Sequence, residues 1–189
     1  MANRLIEYLK LYHNIPGDDN DIIKSKLFCH DVSEGEYLLN EGEVCKKIFF
    51  VCRGVLRIVS QQRAGTEVTH YFLKENQFGV VLASFDNDTP STESIQAVCD
   101  SEIIVLHKTA LLSLYQTLPY FRAMVNAITQ KALLEKIHTR NFYLGCNAGM
   151  RYQKFLSREP EVALRAPLNM VASYLGVTQQ SLSRIRRSA

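Results

Sequence analysis

The stretch from Leu168 to Arg187, LNMVASYLGVTQQSLSRIRR, restricts what this chain can fold into more than any other. Leu168, Val171, Ala172 and Leu175 recur at i, i+3, i+4 and i+7, which lays one apolar stripe along a short helix. Gly176 follows, where a left-handed backbone ends a helix at the least steric cost. Thr178 then offers a side-chain oxygen to cap a second helix, with Val177 closing the corner between the two. On that second helix Leu182 and Ile185 point inward, which leaves Gln179, Gln180, Ser181, Ser183, Arg184 and Arg187 outward. A small side chain at Ala172 lets the helices cross closely, so the pair reads as a helix-turn-helix.

The outward set has a particular chemistry. Gln and Arg are side chains that make bidentate bonds to base edges in the major groove, and a helical hairpin that merely ends a domain does not require them. The distribution of charge agrees. The whole chain carries a net charge of only +3, yet from Gly145 onward seven Lys/Arg stand against two Glu. A basic C-terminal module on a slightly acidic body suits an end that neutralises phosphates. Double-stranded DNA is therefore the expected partner.

The preceding chain has two textures. Leu5, Ile6, Leu9 and Tyr12 share one face of an opening helix, and a second short helix is expected around Ile22 and Ile23. From Phe28 to His107, short β-branched and aromatic runs follow: Tyr37–Leu39, Ile48–Cys52, Val55–Val59, Glu67–Leu73, Phe78–Leu82, Glu93–Val98 and Glu102–His107. Glycines at 35, 42, 54, 65 and 79 punctuate them, a spacing that predicts a double-sheet jelly roll rather than βαβ units. Past His107, Thr109 caps a short helix, and Pro119 opens a long one reaching to about residue 143.

The apolar stripe of that long helix is wider than the roughly 100° one packing surface needs. One side is expected on the roll and the other on a second copy, with Phe121, Met124, Val125, Ile128, Ala132 and Ile137 as the dimer interface. The predicted architecture is thus α+β. A jelly-roll sensor domain occupies residues 1–118, a dimerisation helix and hinge 119–144, and an all-α helix-turn-helix domain 145–189.

This order of parts resembles the cAMP receptor protein/fumarate-nitrate regulator (CRP/FNR) family, over nearly the whole chain. The most specific match is ASYLGVTQQSLSRIRR, which is similar to the Bacteroidetes-type branch. Further likeness lies in Gly35-Glu36-Tyr37, Glu41-Gly42-Glu43, Ile48-Phe49-Phe50-Val51 with Arg53-Gly54, and Phe78-Gly79. The resemblance implies a dimeric transcription regulator with a cyclic-nucleotide-binding-like roll, in which Gln179, Gln180 and Arg184 read bases. Thr178, Ser181, Ser183 and Arg187 would contact mostly phosphate. RNA polymerase is a further partner on this reading.

The resemblance also exposes departures. Members that bind cAMP follow Phe-Gly with a Glu for the ribose and place an Arg after Pro for the cyclic phosphate. Here Val80 follows Phe78-Gly79, and Ser91 follows Pro90. A cleft formed by Phe78, Gly79, Val80, Ser91 and Thr92 therefore lacks the cation that would replace phosphate hydration. The expected effector is an unidentified small molecule other than cAMP. Members with a winged helix continue past the recognition helix into a β-hairpin, and the sequence ends two residues after Arg187, so a wing is expected to be absent or truncated.

Five scattered cysteines without CxxC spacing predict reduced, mostly buried thiols, and no cofactor or metal site is expected. The amphipathic, charged start and the lack of an apolar run near ~18 residues predict a cytoplasmic protein without a membrane span. No P-loop, dinucleotide fingerprint or GxSxG occurs, so enzymatic activity is not expected. The alternative is a ligand-binding or protein-interaction module whose helix-turn-helix packs on another protein.

Overall fold

A computed structural model describes residues 1–62 and 65–188. Helices α1 (Ala2–Lys10) and α2 (Gly17–Lys24) precede eight strands: β1 (Leu27–Val32), β2 (Tyr37–Leu39), β3 (Lys47–Arg53), β4 (Leu56–Gln61), β5 (Glu67–Leu73), β6 (Phe78–Gly79), β7 (Ser94–Ala97) and β8 (Ser101–His107). They form two four-stranded antiparallel sheets, ordered β1-β8-β3-β6 and β2-β7-β4-β5. Apart from the β4–β5 hairpin, the strands pair with partners distant in sequence, which makes a jelly roll. Val51, Leu56, Ile95 and Ile103 are buried in its core.

Two sequence expectations change inside the roll. The run from Phe78 to Leu82 is a strand only at Phe78 and Gly79, where it pairs with Phe50 and Phe49. Beyond that pairing Phe85 N–H bonds Val81 O, and the chain turns into helix α3 (Leu82–Asn87). In addition, β1 pairs along its full length with β8 although its exposed residues carry no clear alternation.

Helix α4 (Lys108–Thr117) leads to the 23-residue α5 (Phe121–Tyr143). The C-terminal helices are α6 (Ala148–Arg158), α7 (Pro160–Arg165), α8 (Leu168–Leu175) and α9 (Gln179–Ser188). Asn147 starts α6 by accepting a hydrogen bond from Met150 N–H through its side chain. Helix α7 is opened by Pro160 at its first position.

Two apolar cores result. The first joins the roll with α1, α2, α4 and the first half of α5. The second centres on Tyr152, Phe155, Val162, Val171, Ala172, Leu175 and Leu182, yet it also takes Val55, Val98 and Phe72 from the roll. The C-terminal helices therefore share a core with the roll surface.

Candidate nucleic-acid interface and effector cleft

Helix α8 ends as its sequence requires. Gly176 sits at φ 67°, ψ 39°, Gly176 N–H bonds Ser173 O, and Val177 N–H bonds Ala172 O. This double closure satisfies the last carbonyls and sets the angle between the helices. Arg151 Nη1 adds a hydrogen bond to Leu175 O at 2.6 Å, so α6 also holds that end. Thr178 Oγ1 accepts from Ser181 N–H at 3.2 Å and begins α9.

Leu182 is fully buried and Ile185 half-buried, which anchors α9 through one face. Thr178, Gln179, Gln180, Ser181, Arg184 and Arg187 are exposed. Ser183 is half-buried and lies toward the anchored side. Gln180, Arg184 and Arg187 recur at i, i+4 and i+7 and share one solvent face, while Arg186 is exposed on another side of the last turn. A polar, cationic helix face held by a buried leucine can enter a major groove without exposing apolar surface.

The opposite partner of the pair docks on the roll. Strand β5 is an edge, so some of its backbone groups lack a strand neighbour. Ser173 on α8 fills this need: its Oγ accepts from Thr69 N–H and donates to Glu67 O, both at 2.9 Å. Tyr174 packs on Phe72, with ring centroids 5.3 Å apart. Arg165 reaches the Glu75 carboxylate and the Gly54 carbonyl, and Lys74 pairs with Glu159 and Glu161. Burial would raise the Glu75 carboxyl, but Arg165 and the Gly54 N–H outweigh it and hold it below the usual range.

Sequence reading did not find this docking. Ser173 lies outside the apolar stripe of α8, and a small hydroxyl inside an otherwise apolar helix was the one available signal.

The cleft expected from Phe78, Gly79, Val80, Ser91 and Thr92 is largely spent on the protein itself. Phe78 packs against Phe50 and Tyr8. Gly79 is buried in β6, where a Cβ would meet Leu73 Cδ1 at 3.0 Å. Val80 lines an apolar cavity with Phe85 and Val125. Ser91 is buried, and its Oγ donates to Glu93 O and accepts from Glu93 N–H. Thr92 is exposed. The cation beside this segment, Lys108, is committed to Asp88 at 2.9 Å and to the Phe85 carbonyl.

The long helix α5 corrects the expected dimer interface. Phe121, Met124 and Ile128 are buried in the roll-side core of their own chain, and Val125 packs partly against it. Only Ala132 and Ile137 of the expected set are exposed. The stripe is wide, and beyond the buried set Leu133, Leu134, Ile137 and Phe142 expose large apolar surface, as does Leu144 just past the helix. Sequence periodicity gave both sides of the helix without telling which side meets the roll.

With this geometry in view, comparison with known proteins is informative. The family model for the cyclic nucleotide-binding domain matches residues 29–118. The matched segment takes in the roll from β1 onward and helix α4. Around it, the likeness to solved structures extends over most of the chain. FixK2 from Bradyrhizobium japonicum is similar with a TM-score of 0.73 at 15% identity, covering 86% of this chain and 83% of that one. CLP from Xanthomonas campestris, a c-di-GMP responsive global regulator, gives a TM-score of 0.71 at 14% identity, covering 92% and 91%. A structure from Eubacterium rectale, ascribed to the crp/fnr family of transcriptional regulators, gives 0.72 at 15% identity, covering 96% and 87%. A sequence search of curated proteins finds no match. The fold is similar to that of these solved structures, with the roll ahead of the C-terminal helices. Among the described residues, no helix is long and apolar enough to cross a membrane.

Proposed function

We propose that this chain is a CRP/FNR-type transcription regulator that binds double-stranded DNA as a homodimer through α9. The observation that carries this reading is the face of α9, where Gln179, Gln180, Ser181, Arg184 and Arg187 stand exposed on a helix anchored by buried Leu182. Gln180 and Arg184 are the base-reading candidates, and Thr178, Ser181, Arg186 and Arg187 the phosphate contacts. The regulators that share the fold support it by analogy.

A homodimer doubles this helix so that it reads a pseudo-palindrome. Its seam runs along the outer face of α5. Ala123, Ala127, Gln130, Leu134, Ile137, Asn141 and Leu144 follow one another at alternating spacings of four and three, and all are exposed in the single chain. That is the repeat of a two-stranded coiled coil, with the polar Gln130 and Asn141 available to fix register.

The effector is not cAMP on this reading, because Ser91 and Val80 supply neither cation nor acceptor and Lys108 already has its carboxylate.

The deciding experiment is duplex selection followed by titration across salt. The expected outcome is a two-half-site duplex whose log K falls linearly with log salt, as counterion release dictates. A flat salt response with no preference over random DNA would sink the proposal and leave the alternative of a protein-interaction module.

A further inference from the structure

A cleft of about 310 Å³ opens where the roll, α1, α5 and the C-terminal helices meet. Phe78 lines it, whereas Gly79, Val80, Ser91 and Thr92 do not, so it meets the cleft expected by resemblance only at that ring. Aromatic rings line much of it among polar groups: Tyr8 comes from α1 and Tyr12 from the turn after it, Tyr71 and Phe72 from β5, and Tyr174 from α8. Lys131 and Lys136 of α5 stand over two of these rings, with Lys131 Nζ 5.4 Å from the Tyr12 centroid and Lys136 Nζ 4.4 Å from that of Tyr71.

Lys136 is the unusual group. Its side chain is half-buried, and its ammonium makes no hydrogen bond or ion pair with any of the described residues. Burial lowers its pKa, and the more distant Glu93 only partly opposes this. Taking an ammonium from water without an acceptor costs free energy that one ring face recovers only in part.

The other charges at the cleft are mostly committed. Glu75 is held by Arg165, and Glu159 by Lys74 with Arg158 nearby. Glu135 is the remaining acid, and it is exposed. The unmatched charge at the inner wall is therefore positive.

We propose that this cleft binds a small aromatic monoanion, its acid group on Lys136 and its ring among Tyr71, Phe72 and Tyr174. Size and lining fit such a ligand: a partly open space with rings on several sides and one half-buried ammonium without an acid partner. Because Tyr71 belongs to the roll, Lys136 to α5 and Tyr174 to the helix-turn-helix, an occupant contacts the parts whose docking fixes where α9 points. A ligand held differently in docked and undocked arrangements shifts the balance between them. That consequence rests on the DNA-binding reading, whereas the binding itself does not.

The test uses two fluorescent probes of nearly the same body, without DNA. One is the anion 1-anilinonaphthalene-8-sulfonate and the other is the neutral N-phenyl-1-naphthylamine. The full chain should bind the anion saturably, one per chain, and about tenfold or more tighter than the neutral probe, as a charge-assisted contact implies. Lys136→Met should remove that preference while leaving neutral binding unchanged, and Lys136→Arg should restore it.

In the unmodified protein, the anion should slow acetylation of Lys136 but not of Lys24, which gives a reading even if Lys136→Met fails to fold. Equal affinity for both probes, an unaltered preference in a folded Lys136→Met, or no protection of Lys136 would overturn the proposal. If the probe binds as expected and no duplex is bound, the DNA reading fails alone.

Discussion

The recognition helix and the segment from Phe78 to Thr92 make opposite use of their polar groups. On α9, Gln179, Gln180, Arg184 and Arg187 are exposed and leave the apolar anchoring to Leu182 and Ile185. Between Phe78 and Thr92 the capacity is turned inward. Ser91 bonds the backbone of Glu93, Ser84 Oγ accepts from Cys45 N–H and donates to Thr89 O, and Lys108 pairs with Asp88. A group already satisfied by its own chain gains little from a ligand, because the ligand must first replace what is there. The difference separates a surface built to meet a partner from one built to hold a loop.

The largest expected effect that would test this contrast is at the anchor. Leu182→Ala should destabilise the C-terminal core by about 2–5 kcal/mol, the cost of a large-to-small change at a buried site. Urea unfolding should show it, with DNA affinity lost alongside. A loss under about 1 kcal/mol would mean that α9 is not held by this face.

Next comes the face itself. Arg184→Ala should weaken operator binding by about 1–3 kcal/mol and relax preference at one base pair, with stability nearly unchanged. Unaltered affinity and preference in a gel-shift series would remove Arg184 from the reading set.

A smaller effect is expected at the docking contact. Ser173→Ala leaves Thr69 N–H and Glu67 O of the edge strand without their partner, at about 1 kcal/mol. The Glu75–Arg165 pair gives this contact a pH dependence. A carboxyl depressed in the folded state adds stability that is present above its unfolded pKa, about 4.3, and lost as pH falls through the folded value. Stability should therefore drop on acidification below about pH 4, and Glu75→Gln should flatten that slope. A slope identical in Glu75→Gln would assign the acid response elsewhere. Glu75 is mostly shielded but Arg165 is about one-third exposed, so the expected size is modest.

The smallest effect is expected in the inward-turned segment. Adding cAMP should leave both melting temperature and calorimetric heat unchanged. Micromolar binding would show that Ser91 and Lys108 can be released from their present partners, and would erase the contrast.

Much of this organisation was legible before the structure. The helix-turn-helix could be read because its signals are local: an apolar spacing of three and four, a glycine past the helix end and a capping threonine. Strands β2 to β5 were recognisable from β-branched runs between glycines, and β5 was placed residue for residue. The run at Phe78 misled because an apolar sequence of five residues suits a strand or a helix equally, and α3 forms where pairing with β3 stops. Phe121, Met124 and Ile128, expected between two copies, pack on the roll of their own chain for a similar reason. Phe121, Met124 and Ile128 are as apolar as Leu134 and Ile137, and only packing against the roll tells them apart.

By itself, the sequence determined the elements with local causes: the α8–α9 pair, the glycine-punctuated roll, the long helix and the missing cation after Pro90. Tertiary structure alone decided that Ser173 completes the edge of β5 across 104 residues of chain, that Arg165 reaches Glu75, and that Lys136 stands unpaired over Tyr71. The physical reason is the range of the forces involved. Helix periodicity and caps act over a few residues and leave a pattern in the sequence. Which polar group finds a partner in space depends on how distant segments pack, and single residue types do not record it.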